Sequence, residues 1–195
     1  MGAETKKMNE IYIAIEAKSK HSLQVAIHNF ASEINDKGEL IKVLYALPLI
    51  VSTFSEQISP ITIGSIKIVD IVWYEYEHLI WGVGESFRQI LKRNKSLRKE
   101  GELLEEFEKV VLNSAYGKGR QSFVMLLGQY GDHRQVKTLK QLLKDEEVQG
   151  HAIYSLRHIG TAEAQDDIRP FLESKTTWIR NEAKKYFKKL EKQRV

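Results

Sequence analysis

The sequence predicts an all-α fold, a right-handed α-solenoid of stacked antiparallel helix pairs that runs through residues 1–195 as a single domain. Two observations support this prediction. A segment beginning "LGQYGD" at residues 127–132 returns as "LRHIGT" at residues 156–161, which is 29 residues later. Apolar residues also recur every three or four positions along most of the chain, as they do on the buried face of an amphipathic helix.

The first part of this domain, residues 8–97, is predicted to be helical but divergent from the repeat. Helical spacing of apolar residues predicts one helix at about 20–35 and a second, buried helix covering the apolar stretch 40–50. The uncharged run of residues 43–55 is too short to cross a bilayer. The segment 61–94 is ambiguous, because its β-branched start alternates like a strand while its second half has helical spacing. We favour helix for the whole segment because of its length.

The second part, residues 98–195, holds the repeats. A helix at about 98–115 is predicted to turn Leu103, Leu104, Phe107, Val110 and Val111 inward. The next helix, at about 119–130, should end at Gly131 in the left-handed conformation, and Asp132 should cap the helix that follows at about 133–144. "KDEE" at 144–147 then makes a turn, and the pattern starts again.

Equivalent positions of the repeat carry equivalent residue types. Leu127 aligns with Leu156 and Val124 with Ile153, and a third copy follows at a spacing of about 31 residues. A unit of two helices cannot bury its apolar face alone, whereas stacked copies can. In the third copy the aligned pairs are Val148 with Ile179, Ala152 with Ala183, Leu156 with Phe187, and Ile159 with Leu190.

The motifs "RQSFVMLLGQYGD", "LKQLLKD" and "VQGHAIYSLRHIG" resemble the HEAT-like repeats of bacterial proteins, the short class also found in phycobilin lyases. The resemblance covers about residues 100–193. Three positions depart from the usual pattern, since Gln149 replaces an Arg, Arg157 a Gly and Thr161 an Asp. The resemblance implies a solenoid, but it leaves the task open because such repeats serve many functions.

Composition limits the classes of function. The chain contains no cysteine, which excludes disulfides, thiolate catalysis and cysteine-based metal sites and fits a cytoplasmic location. The formal net charge of +4 lies entirely in residues 96–195, because residues 1–95 carry 11 basic and 11 acidic side chains. The apolar run near the N-terminus does not have the form of a signal peptide, so we expect no membrane association.

We find no catalytic constellation in the sequence and predict a protein that is not an enzyme, with no cofactor and no metal. The pair Glu75 and His78 has Glu-x-x-His spacing, but a di-iron site needs two such pairs. "GVGES" lacks the third glycine of a nucleotide-binding loop. A bilin-type lyase, which the resemblance suggests, remains an alternative without supporting residues.

The second helix of each unit should line the concave face, and its polar columns are the predicted partner-binding site. Arg157 is the most informative member because it can bind a carboxylate or phosphate through two donors; the alternative is that it pairs with an acid of its own chain. The predicted site residues are Gln121, Met125, Gln129, Tyr154, Arg157, His158, Asn181, Lys185, Lys188 and Lys189.

These residues favour a non-catalytic protein-binding module, a scaffold, regulator or inhibitor, whose partner is another protein with an acidic surface. An inhibitor of the toxin-immunity type is one form of this hypothesis. The alternative is a HEAT-like protein that binds nucleic acid through its basic C-terminal units, because residues 175–195 carry eight basic and two acidic side chains. The zero net charge of residues 1–95 argues against that alternative.

Overall fold

The computed structural model describes residues 3–34, 36–56, 58–63 and 66–193, and within them it confirms an all-α solenoid of helix pairs, interrupted by one β-hairpin. The helices pack in two rows. In one row α5, α7, α9 and α11 are successive neighbours, and α6 and α8 lie behind them in the other. The bounds are α1 Ala3–Glu16, α2 Lys20–Glu33, α3 Lys37–Leu44, α4 Leu47–Phe54, α5 Glu75–Arg93, α6 Gly101–Leu112, α7 Gln121–Tyr130, α8 Val136–Leu142, α9 Gln149–Ile159, α10 Gln165–Ile168 and α11 Thr177–Gln193.

The N-terminal segments differ in part from prediction. The helix expected at about 20–35 is α2, and it begins after Ser19, whose hydroxyl accepts a hydrogen bond from the Ser22 amide. The single helix expected over 40–50 is wrong, because the chain forms α3 and α4 with a corner at Tyr45 and Ala46. Pro48 explains the break, since it has no N–H to continue a helix but is tolerated in a first turn.

The helix favoured for the first half of segment 61–94 is also wrong. Strands β1, Ile58–Ile63, and β2, Ile66–Tyr74, pair in an antiparallel hairpin with an irregular register between Pro60 and Ile61. The preference of the alternating β-branched residues for strand therefore prevails in this segment. The prediction that residues 8–97 are helical throughout is wrong at this hairpin. The second half of the segment is helical as expected, and α5 buries Ile80, Val83, Phe87, Ile90 and Leu91.

Helices α6 and α7 join the N-terminal part to the repeats through one apolar core. The five residues predicted to face inward on α6 are all buried. Phe107 of α6 contacts Phe87 of α5 and Phe123 of α7, with ring centroids 5.2 Å and 5.5 Å apart. Between α6 and α7, a 3₁₀ segment, Ser114–Arg120, turns at Gly117, whose φ of 51° favours glycine. The Glu77 carboxylate accepts a 2.7 Å hydrogen bond from the Lys118 amide in this segment.

The repeat predicted from the 29-residue spacing is present in the packing. Leu127, Leu156, Val124 and Ile153 are all fully buried, so the aligned positions share the same environment. Helix α7 lies close to α9 because Gly128 leaves no room for a side chain beside the Ser155 backbone. The Ser155 hydroxyl donates a 2.7 Å hydrogen bond to the Val124 carbonyl across this contact.

The two glycines that end α7 and α9 have different backbone conformations. Gly131 was expected in the left-handed conformation, but it is extended with φ −79° and ψ 178°, so that prediction is wrong. Gly160, its repeat equivalent, is left-handed with φ 81°. Asp132 caps the next helical segment as expected, because its side chain accepts a hydrogen bond from the Arg134 amide. The Arg134 guanidinium lowers the pKa of Asp132 to about 2.

Candidate partner-binding site

The predicted site residues lie on α7, α9 and α11, three successive helices of one row. They are all accessible to some degree, although the fraction differs between positions. The half-buried residues are Gln121, Met125, Tyr154, Arg157 and Lys189, and the exposed residues are Gln129, His158, Asn181, Lys185 and Lys188.

The centre of this surface is an ion-paired cluster between α9 and α11. Arg157 binds the Glu182 carboxylate, with Nε and Nη2 each 3.1 Å from Oε2. Lys185 binds the other oxygen, with Nζ 2.6 Å from Oε1. The Glu182 side chain is only 11% exposed, whereas Lys185 is 59% exposed. A buried carboxylate thus fixes two cations, and the cluster keeps one net positive charge toward solvent.

Aromatic rings support the same cluster from α9. The Arg157 guanidinium carbon lies 5.1 Å from the centre of the Tyr154 ring, in cation–π geometry. Tyr154 also packs against His158, with ring centroids 4.2 Å apart. Partial desolvation of the His158 imidazole lowers its pKa, and the positive charges of Arg157 and Lys189 lower the pKa further. These effects favour the neutral form of the His158 imidazole.

Some predicted site residues are already used within the chain. Lys189 Nζ donates hydrogen bonds of 2.7 Å and 2.9 Å to the carbonyls of Arg157 and His158, which lie in the last turn of α9. Lysine at this place stabilises the helix C-terminus. The Gln121 amide likewise donates a 2.8 Å hydrogen bond to the Glu147 carbonyl. Lys189 and Gln121 therefore stabilise the packing of the chain itself, and their donors are less available to a partner than those of the other predicted residues.

The structure also brings Gln129 and His158 together. Both line a polar groove of about 430 Å³ between the C-terminal ends of α7 and α9. Asp132 and His133 close the groove from the following turn. Asn181 and Lys188 lie apart from it, on the solvent side of α11.

Sequence reasoning missed Glu182 as part of this surface, which Trp178 of α11 also borders. Glu182 precedes Lys185 by three residues, a spacing that places both on one helix face, and this signal could have identified the pair. Trp178 is 46% exposed and covers Gly150, where an added Cβ would lie 2.0 Å from the indole ring. Its ring centroid also lies 5.1 Å from that of His151. Trp178 therefore packs between α9 and α11 and still offers one face to solvent.

The surface carries groups that are common in recognition sites. It combines cations, amides and aromatic rings, which are the groups that anchor protein interfaces. Within the part of the chain that the structure describes, no group of three or more His, Cys, Asp or Glu residues is arranged to hold a metal ion. Among the same residues, no helix is long and apolar enough to span a membrane.

Comparison with known families agrees with the repeat found in the packing. Residues 104–186 match the family model for HEAT repeats. No curated protein matches the chain. The matched segment runs from within α6 to within α11 and includes most of the candidate site, and it supports a HEAT-like repeat protein. HEAT repeats commonly serve as scaffolds for protein interaction.

Proposed function

We propose that this chain is a non-catalytic protein-binding module, a scaffold, regulator or inhibitor, whose α7–α9–α11 surface binds an acidic surface of another protein. The proposal rests chiefly on the cluster of Arg157, Lys185 and Glu182. Its two cations are held in place before binding, so a partner carboxylate would meet ordered donors and less side-chain entropy would be lost. Tyr154 and Trp178 supply aromatic surface beside these charges.

The same proposal includes the class of repeat, the cellular location and the extent of the solenoid. The unit spacing of 29 to about 31 residues favours the short bacterial class of HEAT-like repeats. The absence of cysteine favours action in the cytoplasm. The shared core of α5, α6 and α7 favours one continuous solenoid over residues 1–195.

Affinity capture from the native cell, followed by mass spectrometry, tests the proposal. We expect wild type to capture a protein and the double variant Lys185→Glu with Lys188→Glu to lose it. Both lysines are exposed, and Glu182 keeps Arg157 in this variant, so the fold should remain intact. Lys137→Glu with Lys144→Glu, which changes two exposed lysines outside the site, is the matched control. Equal capture by both double variants would refute this placement of the site.

Nucleic-acid binding is the second candidate, and one feature of α11 favours it. Lys184, Lys188 and Lys192 are exposed at intervals of four residues, so they form a cationic stripe with a spacing of about 6 Å. Nuclease treatment before capture separates this candidate from the first. A salt titration with duplex DNA adds a quantitative criterion, because phosphate contacts weaken steeply between low and moderate salt.

A further inference from the structure

A run of basic side chains lies where α5 ends, outside the candidate site. The sequence "LKRNKSLRK" at residues 91–99 contains five basic residues and no acidic one. Helix α5 ends within this run, at Arg93, and Leu97–Lys99 form a short 3₁₀ turn. The zero net charge of residues 1–95 hides this concentration of positive charge, because the balancing acidic residues lie elsewhere in that part of the chain. The α5-end cluster is defined here as Lys92, Arg93, Lys95 and Arg98.

The two arginines of the cluster are held in place without being neutralised. Arg98 donates hydrogen bonds from Nε to the Leu91 carbonyl and from Nη2 to the Lys92 carbonyl, each at 2.5 Å. Arg93 donates to the Ala31 carbonyl of α2. These contacts satisfy carbonyls in the last turns of α5 and α2, as basic side chains commonly do. A carbonyl carries no net charge, so both guanidiniums keep their full positive charge.

The two lysines of the cluster are also uncompensated. Lys92 and Lys95 are exposed. Among the side chains that the structure describes, no carboxylate forms an ion pair with any of the four cluster residues. The carboxylates that follow in the sequence, Glu100 and Glu102, both contact Lys37. That group of three carries one net negative charge, against four positive charges in the cluster, so the end of α5 is an electropositive surface.

A groove of about 510 Å³ adjoins the cluster and is lined by Ser32, Arg93, Asn94 and Lys95. None of these lining residues carries a carboxylate. The Asn94 side-chain oxygen accepts a 2.7 Å hydrogen bond from the Ser96 hydroxyl, which leaves the amide nitrogen as a donor. The Ser32 hydroxyl is already used within α2. The groove therefore offers two cations and an amide donor, which suits a phosphate group because phosphate oxygens are acceptors.

The surroundings of the cluster favour one kind of anionic partner. None of the large apolar side chains that are exposed in the described part of the chain lies within residues 88–101. Protein interfaces are anchored by buried aromatic and aliphatic groups, and membrane-surface segments insert apolar side chains into the bilayer. Binding of single-stranded nucleic acid relies on stacking against exposed aromatic rings. Contacts to the backbone of a duplex need none of these groups, because they are electrostatic and independent of sequence.

We propose that the α5-end cluster binds the phosphate backbone of duplex nucleic acid without reading its sequence. Lys92 and Lys95 contact phosphates directly, and the ordered guanidiniums of Arg93 and Arg98 add positive charge beside them. The inference is independent of the proposed protein-binding surface and of the lysine stripe of α11. The cluster shares no residue with either, and α5 and α11 are the first and last helices of the row α5, α7, α9 and α11.

Fluorescence anisotropy with a labelled DNA duplex of about 20 base pairs, titrated at several salt concentrations, tests the proposal. If the cluster neutralises about three phosphates, the logarithm of the association constant should fall with the logarithm of salt concentration with a slope of about −2.7. Binding should then weaken about 40-fold between about 50 mM and about 200 mM salt.

The double variant Lys92→Gln with Lys95→Gln should reduce the slope to about −0.9 and weaken binding at about 50 mM salt at least about tenfold. It leaves Arg93 and Arg98 on their carbonyls, so we expect it to fold, which circular dichroism checks. Lys137→Gln with Lys144→Gln removes the same amount of charge from two exposed lysines outside the cluster, and it should leave both the slope and the affinity unchanged.

Several outcomes would overturn the inference. They include no duplex binding by wild type, and equal salt slopes in wild type and Lys92→Gln with Lys95→Gln. Loss of binding only in Lys184→Gln with Lys188→Gln would assign the duplex to α11 instead. Competition distinguishes the other anions, because displacement by phosphatidylserine vesicles or by a polyglutamate peptide at a lower charge concentration than by unlabelled duplex would indicate a membrane or an acidic protein. None of these results bears on the proposed protein-binding site, which the capture experiment with Lys185→Glu and Lys188→Glu tests separately.

Discussion

Arg120 is the buried charge on which the repeat part most depends. Its side chain is 1% exposed and binds Asp145 at 2.8 Å and Glu147 at 2.9 Å, in the turn before α9. The same guanidinium donates to the carbonyls of Gly117 and Val111 at 2.8 Å and 3.1 Å. One side chain therefore ties the segment before α7 to α6 and to the next repeat.

Replacing this residue by methionine, which keeps an apolar stem of similar length, should lower the free energy of unfolding by about 3 kcal/mol. Breaking a buried ion pair costs about 3–5 kcal/mol. We expect the lower end of that range because the side chains of Asp145 and Glu147 are 29% and 41% exposed, so water can hydrate both carboxylates. For a chain of this size the change corresponds to a fall in Tm of about 6–12 °C.

Urea unfolding followed by circular dichroism measures the effect, and the repeat supplies the control. Arg180 is the equivalent residue two copies later, but it is half-buried and donates to Ser174 and Thr177. Arg180→Met should cost less than about 1 kcal/mol, as is usual for partly exposed polar contacts. If Arg120→Met and Arg180→Met destabilise the protein equally, burial of the guanidinium is not the source of its contribution and the argument is refuted.

Three further predictions concern stability. Gly128→Ala should cost about 1–3 kcal/mol in urea unfolding, because its Cβ would lie 2.4 Å from the Ser155 Cα, whereas Gly82→Ala, with open space around the Cβ, should not destabilise. Burial lowers the pKa of His151 to about 4, below its unfolded value of about 6.5, so the unfolded chain binds the proton more readily. Stability should therefore fall by up to about 3 kcal/mol from pH 7 to pH 4, and His151→Asn should reduce this dependence. Leu156→Asp should unfold the C-terminal repeats, since the site is fully buried, and an unchanged helical circular dichroism signal would show that the repeat alignment is wrong.

The candidate site shows why the sequence could predict which residues are accessible but not which side chains they contact. The repeat alignment placed Tyr154, Arg157 and Lys185 on accessible positions of neighbouring helices, as the structure has them. It left open whether Arg157 faces a partner or an acid of its own chain. The structure puts its guanidinium on Glu182, 25 residues away, and this pairing depends on how α9 packs against α11.

The sequence by itself determined the repeating helix pairs, because the period of apolar residues dictates which side of each helix is buried wherever equivalent units stack. It also determined the cap at Asp132 and the buried stripe of α6, which are local properties. Only the tertiary structure decided the hairpin at 58–74, the corner at Tyr45, and the extended Gly131 beside the left-handed Gly160. Those features depend on competition between local preferences and on contacts between distant segments, and the same contacts place Glu182 under Arg157 and bring the corner at Tyr45 against α6.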